Sequence, residues 1–378
     1  MSLPSGKASD MVVYQEAPLN AGAPRGRLVD HLITPTEMVF VRAHAEIPLL
    51  AADDLRLRVE GLVQRPLELS LAVLADRFER VEVVAALCCA GNRRRELMAV
   101  SDIPSETPWG VDAVSNVLWS GWRLHDVLAA AQPSTSARHL AFAGSDVVGH
   151  PNAPSEHFGG SIPLGKALGG EVLLADRMND EPLLPVHGFP LRLVVPGYIG
   201  ARSVKWLARI EAIAEPSINY YQQRAYRLFP PEISADNVRW EQGTMLGELT
   251  LNAVICSPTE GAVLPSGRAR FEGYALSGAG RRIERVEVTS DEGARWSPAT
   301  GLTRSGPWGW TLWQAELDLS PGRHRIAVRA FDSAGNSQPE QVAPLWNFKG
   351  YANNAWHRID IVCAPRGSAI PDAPAATA

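Results

Sequence analysis

The sequence predicts an α+β chain built as a mixed α+β domain followed by an immunoglobulin-like β-sandwich, and three observations carry that prediction. The chain has 378 residues, more than one hydrophobic core usually organises at about 150 residues per domain. Up to about residue 225, apolar runs of strand length alternate with short stretches of helical spacing. From about residue 251 the helical spacing stops, and short β-rich runs recur between turn signals. Composition agrees, with 46% hydrophobic and 20% charged residues, Gly 32 and Pro 29: a globular chain rich in turns, neither disordered nor low in complexity.

Taken in order, residues 1–30 are Pro/Gly/Ala-rich and aperiodic, which predicts an extended arm on the surface. Residues 31–225 form the first domain. Ser70 is placed to cap a helix whose apolar positions are Leu71, Leu74, Ala75 and Phe78. Val81–Leu87 reads as a buried strand, Trp122–Ala131 as a second short helix, and Arg138–Ala143 and Leu191–Val195 as further strands. Residues 226–250 link the domains. Within 251–363 the predicted strands are Leu251–Cys256, Ala269–Leu276, Arg285–Thr289, Gly309–Leu317, Arg323–Ala330 and His357–Val362. Spacing of this kind without helices suits an antiparallel sandwich. Residues 364–378 are a Pro/Ala/Ser tail with nothing to bury.

Several function classes drop out. A net charge of −5 excludes a general polyanion binder, so nucleic acid is not expected as a partner and any anionic ligand needs a local basic pocket. No apolar run approaches the roughly 20 residues that span a bilayer, and no export signal is visible. The expectation is a soluble chain with no membrane partner, cytoplasmic as written and periplasmic if a signal has been removed. Cys88, Cys89, Cys256 and Cys363 lack zinc-ligand spacing. Cys256 and Cys363 are free to pair, although reduced core thiols are the expectation.

The densest chemistry is Cys88-Cys-Ala-Gly-Asn-Arg-Arg-Arg95, directly after the predicted buried strand. A thiol at a loop tip with guanidiniums behind it favours the thiolate, the form that binds metals, and arginines beside it offer bidentate donors to an oxyanion. A buried small hydrophobe beside a solvated basic face fits the same letters. A second cluster runs from His187 through Arg192 into a Gly-rich loop carrying Arg202, Ser203 and Lys205, a combination of backbone N–H groups and cations suited to phosphate. A third is Phe40-Val-Arg-Ala-His44.

Together these segments resemble the sulfite oxidase family of molybdenum enzymes, marked by C-A-G-N-R-R, preceded by F-x-R-N-H and followed by H-G-F-P-x-R and G-A-R-x-V-K-W-L. Here they read Phe40–His44, Cys89–Arg94, His187–Arg192 and Gly200–Leu207, in the family's order. Phe158–Leu164, Met178–Leu183, Trp346–Gly350 and Ala355–Arg358 extend the match into the sandwich, which resembles the family's dimerisation domain. The resemblance implies a Mo-molybdopterin cofactor with Cys89 as the metal ligand. It implies that Phe40, Val41, Arg42, Ala43, His44, Asp146, His187, Arg192, Ser203, Val204 and Lys205 hold the pterin and its phosphate. It places Arg42, Arg94 and Trp109 around the substrate, although Trp109 also fits plain packing.

Three positions depart from the family pattern. Ala43 replaces Asn. Asp176 stands where the Tyr before E-M-N is expected, and Lys349 replaces an Arg, keeping the charge but losing the bidentate fork. Asp176 and Lys349 are therefore expected in the catalytic pocket and electrostatically coupled to each other. The activity implied is oxidation of sulfite, or a related small oxyanion, to sulfate by oxygen-atom transfer in a homodimer. No haem-attachment segment is visible, so no haem is expected in this chain, and electrons are expected to leave for an external acceptor such as a c-type cytochrome. A sulfane dehydrogenase, a sulfoxide reductase or a nitrate reductase are the alternatives on the same fold. A cofactor-free binding module is the alternative of a different class.

Overall fold

Residues 3–24 and 26–30 are built into the fold. In the computed structural model, which describes residues 3–24, 26–150 and 153–366, Val12–Gln15 (β1) and Asn20–Gly22 (β2) form a hairpin that pairs with Val41–Arg42 (β3). Asn20, Ala21, Ala23 and Leu28 are buried, which corrects the expectation of a surface arm. The cause is local: a three-residue Asn-Ala-Gly strand has no apolar alternation to read, and its inward side chains are small or held by hydrogen bonds. Most of the expected tail at 364–378 lies outside the described residues.

Two five-stranded sheets build the rest of the first domain. One orders Leu57–Gly61 (β4) and Leu67–Leu69 (β5) with three later strands, His139–His150 (β8), Ala153–Pro163 (β9) and Leu207–Ile213 (β13), as β5-β4-β13-β8-β9. The other joins Arg80–Cys88 (β6), Val114–Arg123 (β7), Leu173–Met178 (β10) and Glu181–Pro182 (β11) as β11-β10-β7-β6, with Arg192–Val194 (β12) also on β10. Only β4 and β13 run parallel among these pairs.

The helix Leu71–Arg77 (α1) begins as expected, since the Ser70 hydroxyl accepts the Val73 N–H at 3.2 Å. Arg94–Met98 (α2) follows the Cys89 loop. The helix expected over Trp122–Ala131 starts only at Leu124 (α3, Leu124–Ala131). Trp122 and Arg123 belong to β7, where Trp122 lies opposite both Arg80 and Leu174. Ladder bonds on both sides of the strand outweigh the helical spacing.

The second domain is a sandwich. One sheet orders Asn252–Ser257, Gly267–Leu276, Thr311–Leu319 and Gly301–Arg304. The other orders Val263–Pro265, His357–Ala364, Gly322–Asp332, Ile283–Thr289 and Ser297–Pro298. All six expected strands are present with shifted ends. The short edge strands were not legible, and Val263–Pro265 pairs parallel with the last strand, so the sandwich is not purely antiparallel.

The period of two along Asn252–Ser257 explains how the domains join. Ala253 and Ile255 enter the core between the two sheets, whereas Val254 and Cys256 enter a core shared with the first domain. Gly267–Leu276 does the same, with Phe271 and Ala275 on one face and Tyr274 and Leu276 on the other. The sheet is therefore apolar on both faces. The 226–250 connection is likewise packed: Phe229, Leu246 and Leu249 are buried, and Arg227–Leu228 pairs with Thr244–Met245. The four cysteines are free and buried. Among the described residues no helix is long and apolar enough to cross a membrane.

Candidate active site

Strand β6 delivers Cys89 to the wall of a cavity with an empty volume of about 630 Å³, open mouth included. The loop is tight: the Gly91 N–H points at the Cys89 Sγ at 3.4 Å, and the Asn92 N–H donates to the Cys89 carbonyl at 3.0 Å. Cys88 points away into the shared core, and burial pushes its thiol pKa up.

The arginines after Cys89 divide their work. Arg93 is fully buried and in left-handed backbone, φ 67°. It forks onto Glu96 at 2.7 and 2.6 Å and donates to Asn252 Oδ1 and the Ala355 carbonyl at 2.8 Å each. Burial works against the Glu96 charge, yet the Arg93 guanidinium prevails and its pKa is lowered. Arg94 donates to the carbonyls of Lys349, Gly350 and Thr107 at 3.1, 3.1 and 2.8 Å. Neither is a solvated basic face. The second domain grips the loop that carries the thiol, and the Ala352 N–H adds a bond to the Ala90 carbonyl at 2.9 Å.

The rest of the cavity wall comes from segments far apart in sequence: Phe40, Arg42, Ala43 and His44 before β6, Asp146 on β8, and His187, Arg192, Ser203 and Lys205 around β12. Arg192 donates to the His187 and Ser203 carbonyls at 2.9 and 3.1 Å. Lys205 Nζ donates to the Arg42 and Val186 carbonyls at 3.2 and 3.0 Å. Neither cation forms an ion pair among the described residues. Burial pulls the Arg192 pKa down and pushes Lys205 down to about 7. Burial also pushes the Asp146 carboxyl up to about 6, with Lys205 opposing, and the Asp146 Oδ1 atom is buried with no hydrogen-bond partner. Unpaired buried cations beside an unsatisfied acceptor mark a site prepared for a polar, anionic group.

Two contacts come from the N-terminal segment. Lys7 Nζ lies 3.1 Å from His187 Nε2 and donates to the Thr36 and Val39 carbonyls at 2.8 and 2.6 Å. Burial, then the neighbouring Lys7, Lys205 and Arg192, holds the His187 pKa well below its ordinary value, so its Nε2 accepts. Asn20 Oδ1 accepts from Arg42 Nη1 at 3.1 Å. Neither contact had a legible signal, because the sequence separation hides both.

One corner of the cavity brings Arg42, Tyr226 and His44 together. Burial opposes the Arg42 charge, but the facing Tyr226, Cys89 and Tyr351 outweigh it and raise the pKa. Tyr226 was missed in the sequence. Its hydroxyl lies 2.8 Å from His44 Nε2, and burial pushes its pKa up to about 12 against the pull of Arg42. It therefore stays a neutral phenol. His44 stacks on Phe158 with ring centres 4.5 Å apart, and burial, then Arg42 and Lys205, holds it well below the usual histidine range. The Arg94 guanidinium lies over the Tyr351 ring at 5.1 Å. Lys349 Nζ pairs with Glu106, whose other oxygen is 3.4 Å from Arg94 Nη2.

Six expected residues do not line the cavity: Arg94 and Lys349 stand behind its wall, Arg94 over Tyr351, which stacks on the lining Tyr226, and four are placed elsewhere. Val41 and Val204 are buried in the packing behind the cavity and do not line it. Trp109 is fully buried against Tyr14 and Phe40, the packing role that its sequence context left open. Asp176 forks onto Arg80 at 2.6 and 2.8 Å. Arg80 opens β6 while Cys89 follows its other end, nine residues on at ~3.3 Å per residue. The expected coupling of Asp176 to Lys349 is thus overturned. Strand register, which the sequence does not show, gives Asp176 an arginine on β6, and Glu106 takes Lys349. The phenol present in the cavity is Tyr226.

Comparison with known proteins fits this geometry. Residues 44–221 match the family model for the oxidoreductase molybdopterin binding domain, and residues 244–364 match that for the Mo-co oxidoreductase dimerisation domain. Sulfite oxidase of Gallus gallus is 39% identical over 356 residues, covering 92% of this chain and 76% of the relative. Sulfite oxidase of Arabidopsis thaliana is 37% identical, covering 92% of each. Among solved structures, sulfane dehydrogenase SoxCD from Paracoccus pantotrophus superposes with a TM-score of 0.78 at 25% identity, covering 95% of this chain and 86% of that one. The matched dimerisation domain supports a homodimer. The order of the two domains, the thiol loop gripped by the second and the cation-lined cavity at the first accord with these matches, and the chain belongs to the sulfite oxidase family of molybdopterin oxidoreductases.

Proposed function

We propose that this chain oxidises sulfite to sulfate, with water as the oxygen source, releasing two protons and passing two electrons to a separate acceptor. The observation that carries the reading is the sharing of one cavity by the Cys89 thiol, the Arg42 guanidinium and the Tyr226 hydroxyl. The residues fit a molybdopterin: the orphaned Asp146 Oδ1 and the unpaired Arg192 and Lys205 suit the polar pterin and its phosphate, and the Cys89 thiolate suits a soft metal. Asp146, His187, Arg192, Ser203, Lys205 and the Phe40–His44 segment would hold the group, with Cys89 as ligand. When bound, it supplies two-electron oxygen-atom transfer.

The chain's own residues do the rest. Arg42 keeps its charge and offers a planar donor edge to a pyramidal oxyanion. Tyr226 remains protonated, so its hydroxyl donates to the anion or to water, and His44 fixes its direction. Arg94 is held rigid by three carbonyls, which places positive charge without reorganisation when the anion arrives.

The test is steady-state turnover of the protein made in a molybdopterin-competent host, assayed for molybdenum and pterin, with sulfite, thiosulfate, nitrate and a methyl sulfoxide offered in turn. Sulfite-dependent reduction of an external dye or cytochrome is expected. Turnover of another of these compounds, with none of sulfite, would replace the reading.

A further inference from the structure

The corner of Arg42 and Tyr226 that the proposed reaction gives to the anion, the oxyanion corner, is bordered by a carboxylate that the reaction does not call for. Glu106 is only 15% exposed. One of its oxygens accepts from Lys349 Nζ, and the other lies 3.4 Å from Arg94 Nη2. It stands behind the cavity wall: Arg94, whose Nη2 it approaches, lies over Tyr351, which stacks on the cavity-lining Tyr226 with ring centres 5.4 Å apart, and a Cβ on Gly91, beside Cys89, would lie 2.5 Å from that Nη2; its charge also acts on Arg42 and Tyr226. The two cations differ in freedom. Arg94 has Nε and Nη1 occupied by the carbonyls of Lys349, Gly350 and Thr107, which leaves its Nη2 edge toward Glu106. Lys349 is 21% exposed, and it carries its ammonium on a flexible stem.

A carboxylate and one edge of a sulfur oxyanion present the same pattern, two acceptor oxygens on one centre bearing negative charge. From this geometry we propose that Glu106 is the resident anion of the oxyanion corner: it occupies donors of Lys349 and Arg94 that an incoming sulfur oxyanion would take, and thereby sets how tightly the site holds anions. This rests on the reading of the substrate as an oxyanion bound beside Arg42. Arg42, Arg94 and Lys349 together bear three positive charges, and Glu106 reduces them to two. Glu106 is a positioning and specificity residue, acting through Lys349 and Arg94. It keeps a product dianion from remaining bound where the substrate must enter.

The experiment compares holoenzyme with and without this charge. Glu106→Gln keeps the shape and an acceptor for Lys349 but removes the charge. The sulfite KM and the sulfate Kd, the latter by calorimetry on the resting holoenzyme, are each expected to fall about tenfold, with a smaller change in kcat. Glu106→Asp, which keeps the charge, is expected to return both toward the parent values. Unchanged or weakened anion binding in Glu106→Gln would overturn the proposal and leave a purely structural pair. Should that variant fail to load cofactor, Lys349→Gln serves instead: sulfate affinity must fall about tenfold or more with the Glu106 charge left in place, and an unchanged Kd overturns the idea. The two proposals fail separately. A parent enzyme inactive with sulfite whose Glu106→Gln form still binds sulfate more tightly loses the sulfite reading alone. An enzyme active with sulfite whose Glu106→Gln form binds sulfate as before loses this one alone.

Discussion

Asp146 shows how one buried residue prepares the site. Its carboxyl has been moved from 3.8 to about 6, chiefly by burial, so the native chain holds a proton there that the unfolded chain has already shed. The stability from this group is full below pH about 4, is lost as the pH rises to about 6, and stays lost above that. Asp146→Asn removes the dependence. In the cofactor-free protein, the melting temperature of the variant is expected to gain on the parent between pH 4 and pH 6 and to hold the gain at pH 7. Equal differences at pH 4 and pH 7 would show that Asp146 is not buried as an acid. Cys89, His187, Arg192, Ser203 and Lys205, which line the cavity, were legible as single letters, because each sits in a motif. Tyr226 and Glu106 were not, because each stands outside any motif and meets its partners, His44 for one and Lys349 for the other, only through the fold.

At the scale of elements, the site depends on loops that glycine makes possible. Gly350 has φ 62°, and a Cβ there would lie 2.6 Å from the Arg94 Cγ, so Gly350→Ala combines left-handed strain with a clash. Loss of about 1–2 kcal/mol is expected in urea unfolding from the strain alone, and the displaced guanidinium is expected to raise the sulfite KM. A variant with parental stability and KM would show that the turn can relax around a methyl group. The strands that lead into these loops were legible in part. Val81–Leu87 and the six sandwich strands read as apolar runs, whereas Val114–Arg123 did not, since the buried residues on its two faces include Ser115, Asn116 and Ser120. The Trp122–Ala131 helix was half right: helical spacing from Leu124 onward is real, but pairing with β6 and β10 claims Trp122.

For the whole molecule, the sandwich does more than offer an interface. Tyr274 sits on its inner sheet, accepts from Asn92 Nδ2 at 2.8 Å and donates to the Val111 carbonyl at 3.0 Å, so one phenol ties the second domain to the loop that presents Cys89. Tyr274→Phe leaves the ring in the shared core and strands the buried Asn92 amide and the partly buried Val111 carbonyl. A loss of about 1–3 kcal/mol is expected in urea unfolding, together with lower molybdenum content after gel filtration. Full metal retention at unchanged stability would mean that the backbone bonds alone fix the loop.

The sequence by itself determined the two-domain order, the strand that ends at the Cys89 loop and the motifs whose cations line the cavity beside it, because these are written in adjacent residues and in side-chain periodicity. Only the tertiary structure decided who pairs with whom. It moved Asp176 to Arg80, gave Glu106 to Lys349 and Arg94, set Trp109 into the packing, brought Tyr226 to the same cavity as Arg42, and drew the N-terminal segment to the cavity wall through Lys7 and Asn20. The physical reason is that a charge or a hydrogen bond is assigned by distance across strands and loops tens to hundreds of residues apart. Register and domain contact fix those distances, and composition does not record them.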